Sequence, residues 1–203
     1  MKNAKLIDCA QGSPEWDSQR LGIPTASNFH KILAKGKGET RKSYMKHLAA
    51  ERLTGQKIGF PINDAIRWGS EKEPEARAAY EFHSGNDCQI VGFYTTGSFG
   101  CSPDGLVGDA GTVEFKCPLT TTHIETVLSG KMPEKHKAQV QGQLWITGRN
   151  WCDFVSFDPR ITHAADYFCV RVSRDDQYIA DLEEAVNTFC SDLEDMIARY
   201  KRG

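Results

Sequence analysis

The stretch "CSPDGLVGDAGTVEFKCP", residues 101–118, decides how this chain is read. Its two short runs are rich in β-branched and aromatic residues and are separated by a glycine-containing turn, which predicts two antiparallel strands. Along the second strand, alternation puts Glu114 and Lys116 on one face and Val113, Phe115 and Cys117 on the other, toward a core. Asp104 stands on the preceding arm, and "GLVGDAG" is short enough to fold back and bring its carboxylate beside Glu114. The expected product is an Asp, Glu, Lys cluster. Two converging carboxylates suit a hard divalent cation such as Mg²⁺, which keeps waters and phosphate oxygens as its other ligands. An adjacent ammonium can orient or deprotonate an attacking water and neutralise charge in a phosphoryl transition state. Phosphodiester hydrolysis is the chemistry such a set suits. A surface hairpin, with Asp104 shaping a turn and Glu114 and Lys116 solvated, is the alternative that these residues by themselves leave open.

Outward from this stretch the chain changes character near residue 88. Upstream, the spacing predicts a helix over "TASNFHKILA" (25–34) with Thr25 or Ser27 as its N-cap. A second is predicted over 40–55, closed by Gly55, and a third over 65–85, closed by Gly85 and kinked at Pro74. The Gly-Lys segment at 35–38 reads as a flexible loop. Downstream come strand-like runs at 88–96, 99–108 and 111–118, a helix over 133–148, strands at 151–159 and 166–173, and a long amphipathic helix over 174–201. The class expected is mixed α/β, a central sheet flanked by helices, in one domain spanning 1–203. Its N-terminal part, about 1–86, is expected to be helical, and a sheet-containing core should occupy about 87–203.

Composition narrows the class further. Hydrophobic residues make up 39% and charged residues 26% of the 203, and no run approaches the length of a membrane span. The N-terminus carries no signal-peptide pattern, so a cytoplasmic location is expected. Seven cysteines, none at a CxxC spacing, predict reduced thiols, with Cys101 and Cys117 buried and structural. A net charge of −2 gives no global drive toward nucleic acid, so any such contact has to be local. Candidate patches are 31–47, 131–137 and 199–203, each of which also fits an ordinary solvated face.

At this point the residues resemble a known family. "SPDG" followed by "EFKCP" is similar to the PD-(D/E)xK nuclease signature, and the remainder resembles its lambda exonuclease branch, the YqaJ viral recombinase family. The likeness runs from "WDSQRLGIPTASNF" (16–29) through "WGSEKEPEARAAYEF" (68–82) and the two motifs to "AQVQGQLWITG" (138–148) and "FDPR" (157–160). It implies a restriction-endonuclease-like core and Mg²⁺-dependent digestion of one strand of linear double-stranded DNA from its 5′ end, leaving 3′ overhangs for phage-type recombination. Two metal ions are implied, with Mn²⁺ able to substitute. Further implied are a ring-shaped homotrimer around the DNA, a single-strand annealing recombinase as partner, and a phage or prophage origin in a bacterial host.

Position by position, the resemblance makes Asp104, Glu114 and the backbone carbonyl of Phe115 metal ligands and Lys116 the catalytic lysine. Glu73 becomes a helix-borne acid supporting the metal, and Gln139 a polar residue beside the lysine and water. Arg20 and Ser27 match a pocket for the 5′-phosphate, in keeping with the fork-like grip of arginine on phosphate. Ile66 matches an apolar wedge between terminal base pairs, and Lys35 and Lys37 fall near a basic segment at the DNA entrance. A PD-(D/E)xK endonuclease of restriction or repair type shares the cluster but needs no free end. A catalytically silent DNA-binding protein on the same fold is the reading from another class, and its sign would be a degraded motif.

Overall fold

Strands β1 (Lys5–Ile7), β2 (Phe93–Thr95), β3 (Gly100–Cys101), β4 (Gly105–Val107), β5 (Gly111–Lys116), β6 (Trp151–Phe157) and β7 (Tyr167–Ser173) form two sheets. They are interleaved with helices α1 (Pro14–Arg20), α2 (Phe29–Ile32), α3 (Glu39–Thr54), α4 (Asp64–Ser84), α5 (Thr120–Ser129), α6 (Lys137–Thr147) and α7 (Asp176–Arg202). The computed structural model describes residues 4–34, 39–59 and 64–202. Lys35, Lys37 and the side chain of Ile66 lie outside the described residues.

The 101–118 stretch forms the expected antiparallel hairpin, with Gly105 opposite Val113 and Val107 opposite Gly111. β5 then pairs in parallel with β6, and β6 pairs antiparallel with β7, giving a mixed sheet in the order β4-β5-β6-β7. A parallel step needs a crossover, and α5 and α6 supply it. The smaller sheet, in the order β1-β2-β3, is antiparallel throughout.

Several expectations need correction. The run at 99–108 is not one strand: β3 belongs to the small sheet and β4 to the large one, so Ser102, Pro103 and Asp104 connect the two sheets. The run at 88–96 is a strand only at its end, with an isolated bridge between Gln89 and Leu106 before it. The first predicted helix is a 3-10 turn at Ala26–Asn28 followed by the four-residue α2. Thr25 stands at the N-cap position of that turn, with the extended backbone usual there, but makes no cap bond: its Oγ1 lies 3.1 Å from Ser27 Oγ and accepts from Asn28 Nδ2 at 3.2 Å. An unexpected helix, α1, comes earlier, capped by Ser13, whose Oγ accepts from the Trp16 N–H (3.2 Å), and opened by Pro14. β1 also interrupts the part read as purely helical.

The later helices follow their end signals. Gly55 and Gly85 take φ of 66° and 68°, the left-handed geometry that closes α3 and α4. α4 continues through Pro74, which has no N–H to give to the Ser70 carbonyl.

Helices cover both faces of the large sheet. On one face α4 packs Ala76 and Tyr80 against Val113, Phe115 and Val155, so the apolar face of β5 meets the core as its alternation predicts. On the other face Val140 and Leu144 of α6 pack on Cys152. A larger core joins α2, α3, α6 and α7, with Tyr44 stacked on Phe189 (5.5 Å) and Phe99 on Trp145 (4.7 Å). All seven cysteines are free, and Cys101 and Cys117 are buried, as expected of structural thiols.

The turn at 26–28 approaches α6 closely because Gly142 has no side chain. A Cβ there would lie 2.7 Å from Phe29 Cδ2 and 3.3 Å from Ala26 Cβ. Alanine is the better helix former by about 1 kcal/mol, but overpacking a filled core costs about 1–3 kcal/mol. Phe29 is fully buried and has little room to retreat. Gly142→Ala is therefore expected to lower the urea midpoint at unchanged slope. A raised midpoint would mean that Phe29 yields.

Candidate active site

The site grows from the register of one hairpin. Because Gly105 opposes Val113, Asp104 comes level with Glu114 across the two strands. Asp104 Oδ2 accepts from the Phe115 N–H at 2.7 Å, which orients the carboxyl toward the open face of β5. Glu114 is only 1% exposed, and both its oxygens have partners. Its Oε1 accepts from Lys116 Nζ, two residues along the same face, and from Gln139 Nε2 at 2.5 Å. Its Oε2 accepts from Gln143 Nε2 at 2.6 Å. Gln139 and Gln143 are one turn apart on α6, so the helix lays two amides over one carboxylate.

Glu73, from α4, lines the same cleft as Asp104 and Lys116. The cleft encloses about 530 Å³, and Phe115, His136 and Ser156 complete the part of its wall nearest these groups. Burial, and then the neighbouring Glu114, push the Asp104 carboxyl well above the usual carboxylate range, with Lys116 only partly offsetting them. Burial and Glu114 raise Glu73 in the same way. For Lys116, burial works against the charged form, yet Glu114, Asp104 and Glu73 together hold its ammonium above its ordinary pKa. Three acids thus crowd Lys116, with Arg77 acting in addition on Glu73.

That imbalance is one a divalent cation would relieve. Among the described residues no three His, Cys, Asp or Glu side chains form a ready-made metal cage. The donors at hand are two carboxylates and a backbone carbonyl, all oxygen, beside open space. This fits Mg²⁺, which binds through one or two carboxylates and retains water and phosphate ligands. Asp104, Glu114 and the Phe115 carbonyl are the groups able to hold it.

A second cavity, of about 250 Å³, holds Arg20 among Trp16, Thr25, Asn28, Tyr44 and Lys57. The guanidinium lies 3.6 Å above the Trp16 ring, and burial pushes the Arg20 pKa down to about 10. Among the described residues no carboxylate forms an ion pair with it. Asp17 and Glu51 line the same cavity and favour the charged arginine without pairing with it, so its guanidinium donors are left for an anion from outside. Trp16 Nε1 donates to Ser102 Oγ at 2.9 Å, two residues before Asp104, which ties this cavity to the carboxylate cleft. Ser27 stands beside the cavity rather than in its wall: it is exposed, with its Oγ 3.1 Å from Thr25 Oγ1. It sits inside the 3-10 turn, so the helix-start N–H groups expected near it are not provided by a helix of any length.

The sequence reading missed Gln143, Trp16 and Ser102. Gln143 had a signal in the four-residue spacing from Gln139, whereas the Trp16 to Ser102 contact spans 86 residues and had none.

Residues 15–150 match the YqaJ-like viral recombinase domain. The chain belongs to that family. It is similar over its whole fold to the alkaline exonuclease LHK-Exo from Laribacter hongkongensis, with 44% identity, 94% of this chain and 97% of that chain covered, and a TM-score of 0.87. The structure of LHK-Exo in complex with dAMP aligns over the same shares at 44% identity and a TM-score of 0.88. A phage-related exonuclease from Haemophilus somnus 129PT, 18% identical over 88% of this chain and 96% of that one, has the same fold at a TM-score of 0.70. No curated protein matches the chain. The core is the restriction-endonuclease-like mixed sheet flanked by helices, the fold that the likeness to LHK-Exo shows.

Gln143→Ala would leave Glu114 Oε2 buried without its donor. The expected cost is about 1.5–3 kcal/mol of unfolding free energy, measured by denaturant titration. Gln139→Ala should cost less, since Lys116 still serves Oε1. Equal stability of Gln143→Ala and the parent would contradict the role assigned to that amide.

Proposed function

We propose that this protein is a Mg²⁺-dependent exonuclease that digests one strand of linear double-stranded DNA from its 5′ end and leaves a 3′ single-strand overhang. A nuclease role is the coarse statement that family membership and the likeness to an alkaline exonuclease support. The observation that carries the finer one is the pairing of two cavities. A cleft lined by Asp104 and Lys116, with the Glu114 carboxylate buried behind it, is tied through Trp16 and Ser102 to a pocket whose half-buried Arg20 forms no ion pair among the described residues.

Arg20, with Ser27 beside it, would hold the terminal 5′-phosphate, and the distance from that grip to the cleft would set which bond is cut. Asp104, Glu114 and the Phe115 carbonyl would hold a divalent cation, which when bound would supply Lewis-acid stabilisation of the phosphate oxygens. Lys116, kept as an ammonium by its acidic neighbours, donates to the charge that develops on the phosphate or to the attacking water. Gln139 and Gln143 hold Glu114 in place, and Glu73 adds negative charge on the α4 side. In this reading Ile66 serves as the wedge at the duplex end, and a homotrimer around the DNA supplies the retention that a chain of net charge −2 does not. A single-strand annealing protein would take up the exposed strand.

The test is duplex DNA labelled at either end, with and without 5′-phosphate, beside covalently closed circles. Loss of label from 5′ ends, preference for 5′-phosphate and intact circles are expected; cutting of circles, or release from 3′ ends alone, would contradict the proposal. Lys116→Ala should reduce cleavage by roughly 10²–10³-fold while end binding persists. Arg20→Ala should erase the preference for 5′-phosphate, worth about 10–100-fold for a charge-assisted contact.

A further inference from the structure

Two buried groups on the cleft floor have no part in the chemistry above. Ser156 is the partner of Lys116 in the parallel register of β5 and β6, so both side chains leave the sheet on the same face. It lines the cleft, and its Oγ lies 2.8 Å from Nδ1 of His123, a fully buried residue of α5. The other ring nitrogen, Nε2, lies 2.9 Å from the Ala165 carbonyl oxygen.

These two bonds fix the direction of the hydroxyl. A carbonyl oxygen only accepts, so Nε2 carries hydrogen; in the neutral ring Nδ1 is then bare and accepts from the Ser156 O–H. With its hydrogen committed to His123, the Ser156 oxygen keeps its lone pairs for the cleft. It is an acceptor there, suited to an ammonium and unable to donate to a phosphate.

An ammonium in need of an acceptor is one strand away. Lys116 Nζ bonds Glu114 Oε1, which also accepts from Gln139, while Oε2 accepts from Gln143, so a cation that took Oε1 would displace the lysine. We propose that Ser156, oriented by His123, is a positioning residue that receives the Lys116 ammonium when a divalent cation takes Glu114. The assignment rests on the reading of Asp104 and Glu114 as the cation site. Lysine's flexible four-carbon stem allows the move, and neighbouring strands about 4.8 Å apart put it within reach. Ser156 then serves twice, easing the entry of the cation and holding the catalytic lysine over the cleft.

The experiment is calorimetric titration of Mn²⁺ into DNA-free protein, for the parent, Ser156→Ala, Ser156→Thr, Lys116→Ala and the Lys116→Ala/Ser156→Ala double variant. Without Ser156 the lysine stays on Glu114 and competes, so Ser156→Ala should weaken Mn²⁺ binding about fivefold, the value of one hydrogen bond. Ser156→Thr keeps the hydroxyl and should bind as the parent does. Lys116→Ala should bind Mn²⁺ more tightly than the parent, and adding Ser156→Ala to it should change nothing. Equal weakening by Ser156→Ala in both backgrounds would reduce Ser156 to a structural partner of His123 and overturn the proposal, as would unchanged affinity in the single variant. A parent protein that takes up no Mn²⁺ overturns the cation site itself, and the assignment with it. Should Ser156→Ala fail to fold, Ser156→Cys leaves no gap, replaces the hydroxyl by a poor acceptor and carries the same prediction.

Discussion

A carboxylate with almost no contact with water is the constraint from which the rest of this structure follows. Burying an ionised group without partners is prohibitive, and Glu114 avoids that cost only because each of its oxygens receives a strong donor. Lys116 comes from its own strand. The two glutamine amides come from α6, so the helix must cross the sheet at this place with Gln139 and Gln143 facing down. The close seat of the 26–28 turn on Gly142 lies between those two glutamines on the same helix. One buried charge therefore governs how the N-terminal region meets the sheet.

The opposite face of β5 does the complementary work. Val113 and Phe115 anchor α4 through Ala76 and Tyr80, and the same helix carries Glu73 to the cleft. A third connection runs through Ser102, Pro103 and Asp104, the short link between the two sheets. It has Asp104 at one end and the acceptor for Trp16 at the other, so carboxylate and arginine cavity are coupled by two covalent steps and one hydrogen bond. In the proposed function, chemistry and end recognition would share that backbone segment.

What was legible in the sequence followed local periodicity. Alternation in "GTVEFK" assigned both faces of β5 correctly, the short turn brought Asp104 to Glu114, and glycines marked the ends of α3 and α4. The parallel pairing of β5 with β6 was not legible, since a strand's own pattern does not name its neighbour across a crossover of two helices. The helix predicted from Thr25 does start there, but as a 3-10 turn followed by the short α2, and its own periodicity gave no sign of how short it would be. Arg20 and Gln139 were reached through family resemblance, as nothing local distinguishes them from surface residues. Gln143 and the Ser156 to His123 bond were visible only in three dimensions, where the burial of Glu114 and the commitment of both imidazole nitrogens give them meaning.

In the proposed function, Glu114 and Asp104 are crowded together in order to hold a divalent cation. Anomalous diffraction from a crystal grown with Mn²⁺ tests it most directly. A peak is expected between the Asp104 and Glu114 carboxylates beside the Phe115 carbonyl, with Lys116 Nζ displaced from Glu114 Oε1. Mn²⁺ bound elsewhere, with the Lys116 to Glu114 pair intact at full occupancy, would contradict it.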